Sequence, residues 1–234
     1  MAKDRSGVSL SHRFLAGLEP VLDRAPGLSF NFQKILHRSP TDREVAAFST
    51  YLSLLLRWNR VHSLTAYRKP EEIVERLFLD SLLFLEYLPL AAGCRVLDLG
   101  SGAGVPGIPL KIVRLEWQLT LIEVRRKRTS FLATVVRELG LEGVTVLTGR
   151  AESLLGSVPG LKEGFDAVVT RASGPIGTMA PLALGFVKPG GRFVAAGPPA
   201  RGSALPGIPG GRWREAMSPV SGKPRLFLVV EKNS

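Results

Sequence analysis

Two rhythms of apolar and polar positions divide this chain. Between Thr41 and Trp58 apolar residues recur every three or four places, and Val45, Phe48, Leu52, Leu55 and Leu56 fall on one face of a predicted helix. Thr41 with Glu44 three residues later is the capping-box arrangement that begins such a helix. Pro70-Glu-Glu opens a second helix, with proline in the first turn, acids at the positive end of the dipole, and Ile73, Leu77, Leu83 and Phe84 facing inward. From Cys94 the rhythm changes to short, wholly apolar runs separated by helical stretches. Strands are predicted at 94–99, 118–123, 144–148, 165–170 and 191–196, with helices at about 107–115, 127–139 and 176–186. Arg225 to Glu231 is a last strand, added most simply antiparallel. The succession means an α/β fold, a mostly parallel sheet with helices on both faces. Residues 1–39 give a short helix or two around Val21-Leu22 and Phe30-Asn-Phe32. Asn59 to Lys69 reads as a loop, and the Gly- and Pro-rich stretch 197–223 as a long mobile one. The division expected is a helical extension over 1–90 and one compact sheet domain over 91–234.

The first strand runs into Asp98-Leu-Gly-Ser-Gly-Ala-Gly-Val-Pro-Gly107. An apolar strand, a glycine turn and a helix N-terminus form the frame in which α/β folds hold a nucleotide-like cofactor. A dinucleotide fingerprint counted from Gly100 fails at its sixth position, which is Val105; counted from Gly102, it puts Pro106 where the helix should begin. The acid two places before the first glycine gives Asp-x-Gly-x-Gly-x-Gly, the pattern of S-adenosylmethionine-dependent methyltransferases. Glu123 ends the second strand 23 residues after Gly100, the place of an acid that accepts ribose hydroxyls, with a solvated strand end as the less favoured alternative.

Composition narrows the class. The chain has 234 residues, 45% of them hydrophobic, enough for one α/β domain with a sizeable extension. No apolar run reaches the length of a membrane span, and the first residues carry no signal-peptide pattern. The single cysteine, Cys94, excludes an internal disulfide and a Cys-cluster metal site. A cytoplasmic protein without membrane or metal partner is expected. The net charge of +11 suggests a polyanionic partner.

No Gly-x-Ser-x-Gly elbow or Walker motif is present, and His12, His37 and His62 all precede the sheet without metal-ligand spacing. The candidates lie at the carboxyl edge of the predicted sheet. Asp98 could orient an amino group of the ligand or cap the loop. Ala151 and Glu152 follow the third strand where an adenine would lie, unless Glu152 only caps the next helix. Asp166 reads as structural. Arg171 ends the fourth strand, where its planar fork could bind a carboxylate or phosphate or tie down a loop. Arg125, Arg126, Lys127 and Arg128 place four cations at a helix start, against the dipole, and call for a compensating anion, either RNA phosphate or solvent salt. Arg57, Arg60, Arg68 and Lys69 around Trp58 and Tyr67 have the composition of an RNA contact surface or of an ordinary one.

Together these residues resemble one family, the bacterial small-subunit (16S) ribosomal RNA guanine-N7 methyltransferase G, also called glucose-inhibited division protein B. The resemblance covers most of the chain from about Asp42. It rests on Leu56-Arg-Trp-Asn59, Leu64-Thr65, Leu79-Asp-Ser81, the run Asp98 to Leu110, Lys127-Arg128, Phe131-Leu132, Arg150-Ala-Glu152 and Arg171-Ala172. It implies a Rossmann-like class I methyltransferase fold with seven strands, S-adenosyl-L-methionine as cofactor, and small-subunit RNA or the assembled 30S subunit as partner of a monomer. By the resemblance Gly100, Val105, Ala151, Glu152 and Arg171 contact the cofactor and Glu123 stands for the more usual Asp; the glycine-turn reading adds Asp98, Gly102 and Gly104. Arg171 would position the reacting groups. Arg57, Arg60, Arg68 and Arg125 to Arg128 would hold RNA. The chain departs from the family pattern at Ser63, Leu77, Gly197 and Leu226-Phe227. Two other readings stay open: a methyltransferase with another RNA or other substrate, and a non-catalytic cofactor- or RNA-binding module.

Overall fold

The computed structural model describes residues 28–171, 174–197 and 208–233. The Val21-Leu22 patch, His12, Ala172 and residues 198–207 of the Gly/Pro-rich stretch lie outside these residues. Helix α1 (Leu28–Leu36) sets Phe32 edge-on against Phe48, with ring centroids 5.4 Å apart. Helix α2 (Asp42–His62) begins with the expected capping box: Thr41 Oγ1 accepts the Glu44 N–H at 3.3 Å, and Glu44 Oε2 accepts the Thr41 N–H at 2.8 Å. Arg38 closes on the same carboxylate at 2.6 Å.

Helix α2 runs past Trp58 to His62, so Asn59 and Arg60 belong to the helix and not to the loop expected there. Asn59 explains the extension. Its side chain is buried, donates to the Tyr67 carbonyl at 2.9 Å and accepts the Thr65 N–H at 2.9 Å. A polar residue that sequence periodicity assigns to a loop is thus the last anchor of the helix. Ser63 then turns the chain in a left-handed conformation, φ 47°.

The second helical stretch, α3, is continuous but changes gauge: α-helical over Pro70–Ile73, π over Val74–Leu79, α again over Asp80–Leu82, and 3₁₀ over Leu83–Tyr87. π segments concentrate at functional sites, and Asp80 lies directly after this one.

The remaining elements are β1 (Arg95–Leu99), α4 (Gly107–Val113), β2 (Gln118–Glu123), α5 (Arg126–Glu138), β3 (Val144–Thr148), α6 (Ala151–Ser157), β4 (Phe165–Arg171), α7 (Ile176–Phe186), β5 (Val187–Ala196), β6 (Gly211–Met217) and β7 (Pro224–Glu231). They form one seven-stranded sheet in the order β3-β2-β1-β4-β5-β7-β6. β1 to β5 are parallel, and β7 is antiparallel to both β5 and β6. This is the class I methyltransferase arrangement.

Strand β6 corrects the reading of 197–223 as loop throughout. Only Ala216 of its residues is buried, and Arg212, Arg214 and Glu215 point charges outward. Such an edge strand lacks the apolar alternation that marks a strand, and its charges keep the sheet edge from pairing with other chains. β5 also starts four residues earlier than expected, because Lys188-Pro-Gly-Gly191 is accommodated by a shift of register opposite Phe165 and Ala167.

The sheet is buried on both faces, as parallel sheets are. Val96, Leu119, Leu121, Ala167, Val169 and Val194 face α1 to α5, while Leu97, Leu99, Ile122, Val168 and Phe193 face α6 and α7. The helical extension shares a single apolar cluster with the sheet, from Phe32 through Leu88 to Phe227. Cys94 is buried at the sheet's edge of that cluster. Among the described residues no helix is long and apolar enough to cross a membrane.

Candidate functional site

The carboxyl ends of β1, β2 and β4 converge on a cavity of about 630 Å³. Its floor is the turn after β1. Gly100, Gly102 and Gly104 adopt φ of 75°, 56° and 92°, conformations that side chains other than glycine avoid. The turn is tied to the neighbouring strand, because the Gly100 and Ser101 N–H groups donate to the Ile122 carbonyl at 2.9 and 3.0 Å. Below it, Asp98 is completely buried and its Oδ2 accepts the Gly107 N–H at 2.8 Å, fixing the start of α4. The Tyr51 hydroxyl reaches up from α2 and donates to the Ala103 carbonyl at 2.5 Å.

Glu123 is the second organiser. It is 4% exposed, so the solvated-strand-end reading does not describe it. Its Oε2 accepts the Gly102 N–H at 3.0 Å and lies 3.4 Å from Arg128, and its Oε1 accepts the Arg125 N–H at 2.9 Å. One carboxylate therefore holds both the glycine turn and the first turn of α5. It is also an anion that the run of four cations needs, supplied from within the chain.

Burial drives the Asp98 carboxyl up to about 7, with the nearby Glu123 charge adding to the effect and the Gly107 N–H opposing it. The folded protein then holds a proton on Asp98 that the unfolded chain releases near pH 4. This contribution to stability is complete below pH 4 and is lost as pH rises through about 7. Urea midpoints should therefore fall between pH 5 and pH 8, and Asp98→Asn should flatten that decline; equal slopes in the two proteins would contradict the assignment.

Of the residues expected at a cofactor, Gly100, Gly102, Val105, Glu123, Ala151, Glu152 and Arg171 line this cavity. Asp98 and Gly104 lie behind the lining and shape it. Leu64, Thr65 and Tyr67, on the loop that Asn59 anchors, complete the wall together with Leu77, Met179 and Leu182. None of these was assigned to the cofactor in sequence, where Tyr67 figured only in the candidate RNA surface, Leu64-Thr65 only in the family resemblance, and Leu77 there and as an inward-facing helix position.

The basic residues separate. Arg125 and Arg128 are at the cavity, and Arg126 and Lys127 are exposed beside it on α5. Arg57 and Arg60 are exposed on α2, and Arg68 is exposed while donating to the Asn59 carbonyl at 3.1 Å. Trp58 packs against Phe131 at 5.6 Å and His62 at 5.3 Å, as part of the core margin. Asp166 accepts the Arg95 N–H at 2.7 Å and pairs with Lys188, a structural role.

Arg171 sits at the end of β4 where two cavities share a wall. The second, about 350 Å³, is bounded by Tyr67, Arg76, Asp80, Phe84, Arg225 and the chain at Gly197 and Leu226-Phe227. Asp80 Oδ2 lies 3.0 Å from Arg225 and 3.8 Å from Arg171. Burial raises the Asp80 carboxyl against the pull of both arginines, and burial lowers Arg171 against the pull of Asp80. Three of the positions at which the chain departs from the resembled pattern, Gly197, Leu226 and Phe227, are at this cavity.

With the glycine turn, the acid at the tip of β2 and this β4 arginine in place, comparison with known proteins is decisive. The family described as GidB, rRNA small subunit methyltransferase G, matches residues 44–197. The chain belongs to that family. Among relatives of the methyltransferase G family, the ribosomal RNA small subunit methyltransferase G of Caldanaerobacter subterraneus is 44% identical over 151 residues, covering 64% of this chain and 63% of that protein. The protein of the same description from Burkholderia lata is 41% identical over 155 residues, 66% of this chain and 68% of that one. The matched stretch thus spans about two thirds of the relatives' length. Among solved structures, MtNAS in complex with MTA and tNA superposes with a TM-score of 0.51 at 17% identity, over 94% of this chain and 90% of that one, a likeness of fold alone.

Proposed function

We propose that this methyltransferase G family member transfers the methyl group of S-adenosyl-L-methionine to N7 of a guanine in 16S ribosomal RNA of the small subunit, in the cytoplasm. The observation that carries the reading is the single cavity in which the glycine turn, Glu123 and Arg171 meet beside the basic residues of α5. The residues fit the cofactor: the volume suits a small-molecule site, glycine backbone forms the floor, and a buried carboxylate stands at the β2 tip. Glu123 would hold the ribose, Ala151 and Glu152 the adenine, and the turn from Gly100 to Val105 the amino-acid moiety, with Asp98 and Gly104 supporting the turn from behind.

When bound, the cofactor supplies an electrophilic methyl group. Guanine N7 already presents an in-plane lone pair and carries no proton, so no general base is required. This agrees with a cavity lined by neither histidine nor cysteine. What the protein must supply is alignment, the contribution that oriented reactions draw on most. Arg171, at the wall between the two cavities, would contribute to it. Arg57, Arg60, Arg68 and Arg125 to Arg128 would hold the RNA backbone around the target base.

The test is transfer of labelled methyl from S-adenosylmethionine to isolated small subunits, large subunits and transfer RNA. Label confined to small subunits and recovered as 7-methylguanosine is expected. Arg171→Ala should lower the rate about 100-fold, the scale of a misaligned reaction; an unchanged rate would remove Arg171 from its role. Label in another RNA would move the substrate.

A further inference from the structure

The second cavity adjoins the first at Tyr67 and Arg171 and is built from charge. Three guanidiniums, Arg76, Arg171 and Arg225, surround the carboxylate of Asp80, which is 7% exposed. Arg225 is bound to Asp80 at 3.0 Å, Arg171 stands at 3.8 Å, and Arg76 lies 3.5 Å from Glu75. Among the described residues, two acids against three cations leave a net positive charge at the cavity, with Arg171 and Arg225 partly buried. The crowding acts on Arg171 itself, whose charged form is disfavoured by burial and by both neighbouring arginines. Guanidiniums gathered and partly desolvated in this way are stabilised by an incoming anion, and their planar forks match a phosphate two bonds at a time.

The apolar walls argue against a base as occupant. Phe84 and Phe227 are fully buried and meet edge to face with centroids 5.0 Å apart, and Tyr87 covers Phe227 at 5.1 Å. Both phenylalanine rings are packed in the core and offer no open stacking surface. Tyr67 and Arg171 belong to the walls of both cavities, so whatever occupies the second lies next to whatever occupies the first.

We infer that the second cavity is a phosphodiester subsite, which takes an RNA backbone phosphate adjoining the nucleotide whose base enters the cofactor cavity; this rests on the RNA-methylating reading above. Asp80 is a positioning residue in it, holding Arg225 at 3.0 Å and Arg171 at 3.8 Å in the cavity wall. Arg225, on β7, is then a phosphate-binding residue more than fifty positions from any cation that the sequence marks.

The test is the salt dependence of RNA binding, measured with protein-free small-subunit RNA over a series of potassium chloride concentrations, without methyl transfer. Removing one phosphate contact makes the plot of log affinity against log salt shallower by about 0.7 to 0.9. Arg225→Gln should show that change, Arg225→Lys should restore most of the slope, and Arg137→Gln, an exposed cation paired with Glu138 on α5, should leave it unaltered. Thermal melting of each variant identifies any that fails to fold, in which case Arg225→Lys against Arg76→Gln carries the comparison. Equal slopes for Arg225→Gln and wild type would overturn the inference. So would Arg225-dependent binding of inorganic phosphate with no change in the RNA slope, which would make a free anion the ligand. Methylation of another RNA would instead defeat the functional reading, and the slope measurement does not depend on it.

Discussion

Gly104→Ala should lower the stability of the protein by about 3 kcal/mol and abolish cofactor binding at ordinary concentrations. Two independent penalties add. Gly104 sits at φ 92°, where a side chain strains the backbone by roughly 1–3 kcal/mol. A Cβ there would also stand 2.6 Å from Ile108 Cδ1, 2.8 Å from the Tyr51 hydroxyl and 3.0 Å from Leu132 Cδ2, an overpacking worth about 1–3 kcal/mol. Any relief moves the turn itself, because Tyr51 is bonded to Ala103 and Ile108 belongs to the first turn of α4. The comparison that isolates the packing part is Gly140→Ala, at φ 58° with nothing within 4 Å of the added carbon. It should lose only about 1–2 kcal/mol, from conformation alone, with cofactor affinity unchanged. Urea unfolding and calorimetric titration with S-adenosylmethionine read both quantities. Similar losses in the two variants would mean that the turn is not packed as described.

Glu123→Ala should weaken cofactor affinity about 100-fold. Hydrogen bonds to an ionised group contribute about 1.5–3 kcal/mol each, and a carboxylate accepting both ribose hydroxyls holds two of them. The same substitution takes the acceptor from the Gly102 and Arg125 N–H groups, so the turn and the start of α5 should loosen together. Glu123→Gln keeps the shape and one acceptor and should lose nearer to ten-fold. Titration of each variant with the cofactor and with methionine alone separates the two effects: loss confined to the whole cofactor places Glu123 at the nucleoside, whereas equal loss for both would place its action in the turn.

The glycine-turn side of this cavity was legible in sequence because its parts are local. The glycines from 100 to 107 announce positive φ and close packing within one turn, and the spacing from Gly100 to Glu123 reflects one strand–helix–strand unit. The second cavity was illegible for the opposite reason. Asp80, Arg171 and Arg225 come from α3, β4 and β7 and meet only when the sheet is complete, so although Arg171 and Asp80 were each marked in sequence, their meeting with Arg225 was not. Tyr67 and Leu64 are loop residues whose place depends on the buried Asn59, a contact that periodicity cannot express. Strand β6 was missed because an edge strand with one buried side chain carries almost no apolar signal. Trp58 shows the reverse error: an aromatic among arginines resembled an RNA surface, but its ring belongs to the core margin against Phe131.

The most direct measurement of the central claim is the nucleoside content of small-subunit RNA from cells that lack this gene, from the parent, and from the gene-deleted cells supplied with either the wild-type protein or Glu123→Ala. The account predicts that 7-methylguanosine in 16S RNA falls by one residue per molecule on deletion, returns with the wild-type protein, and does not return with the variant. Unchanged 7-methylguanosine in the deleted strain would contradict it.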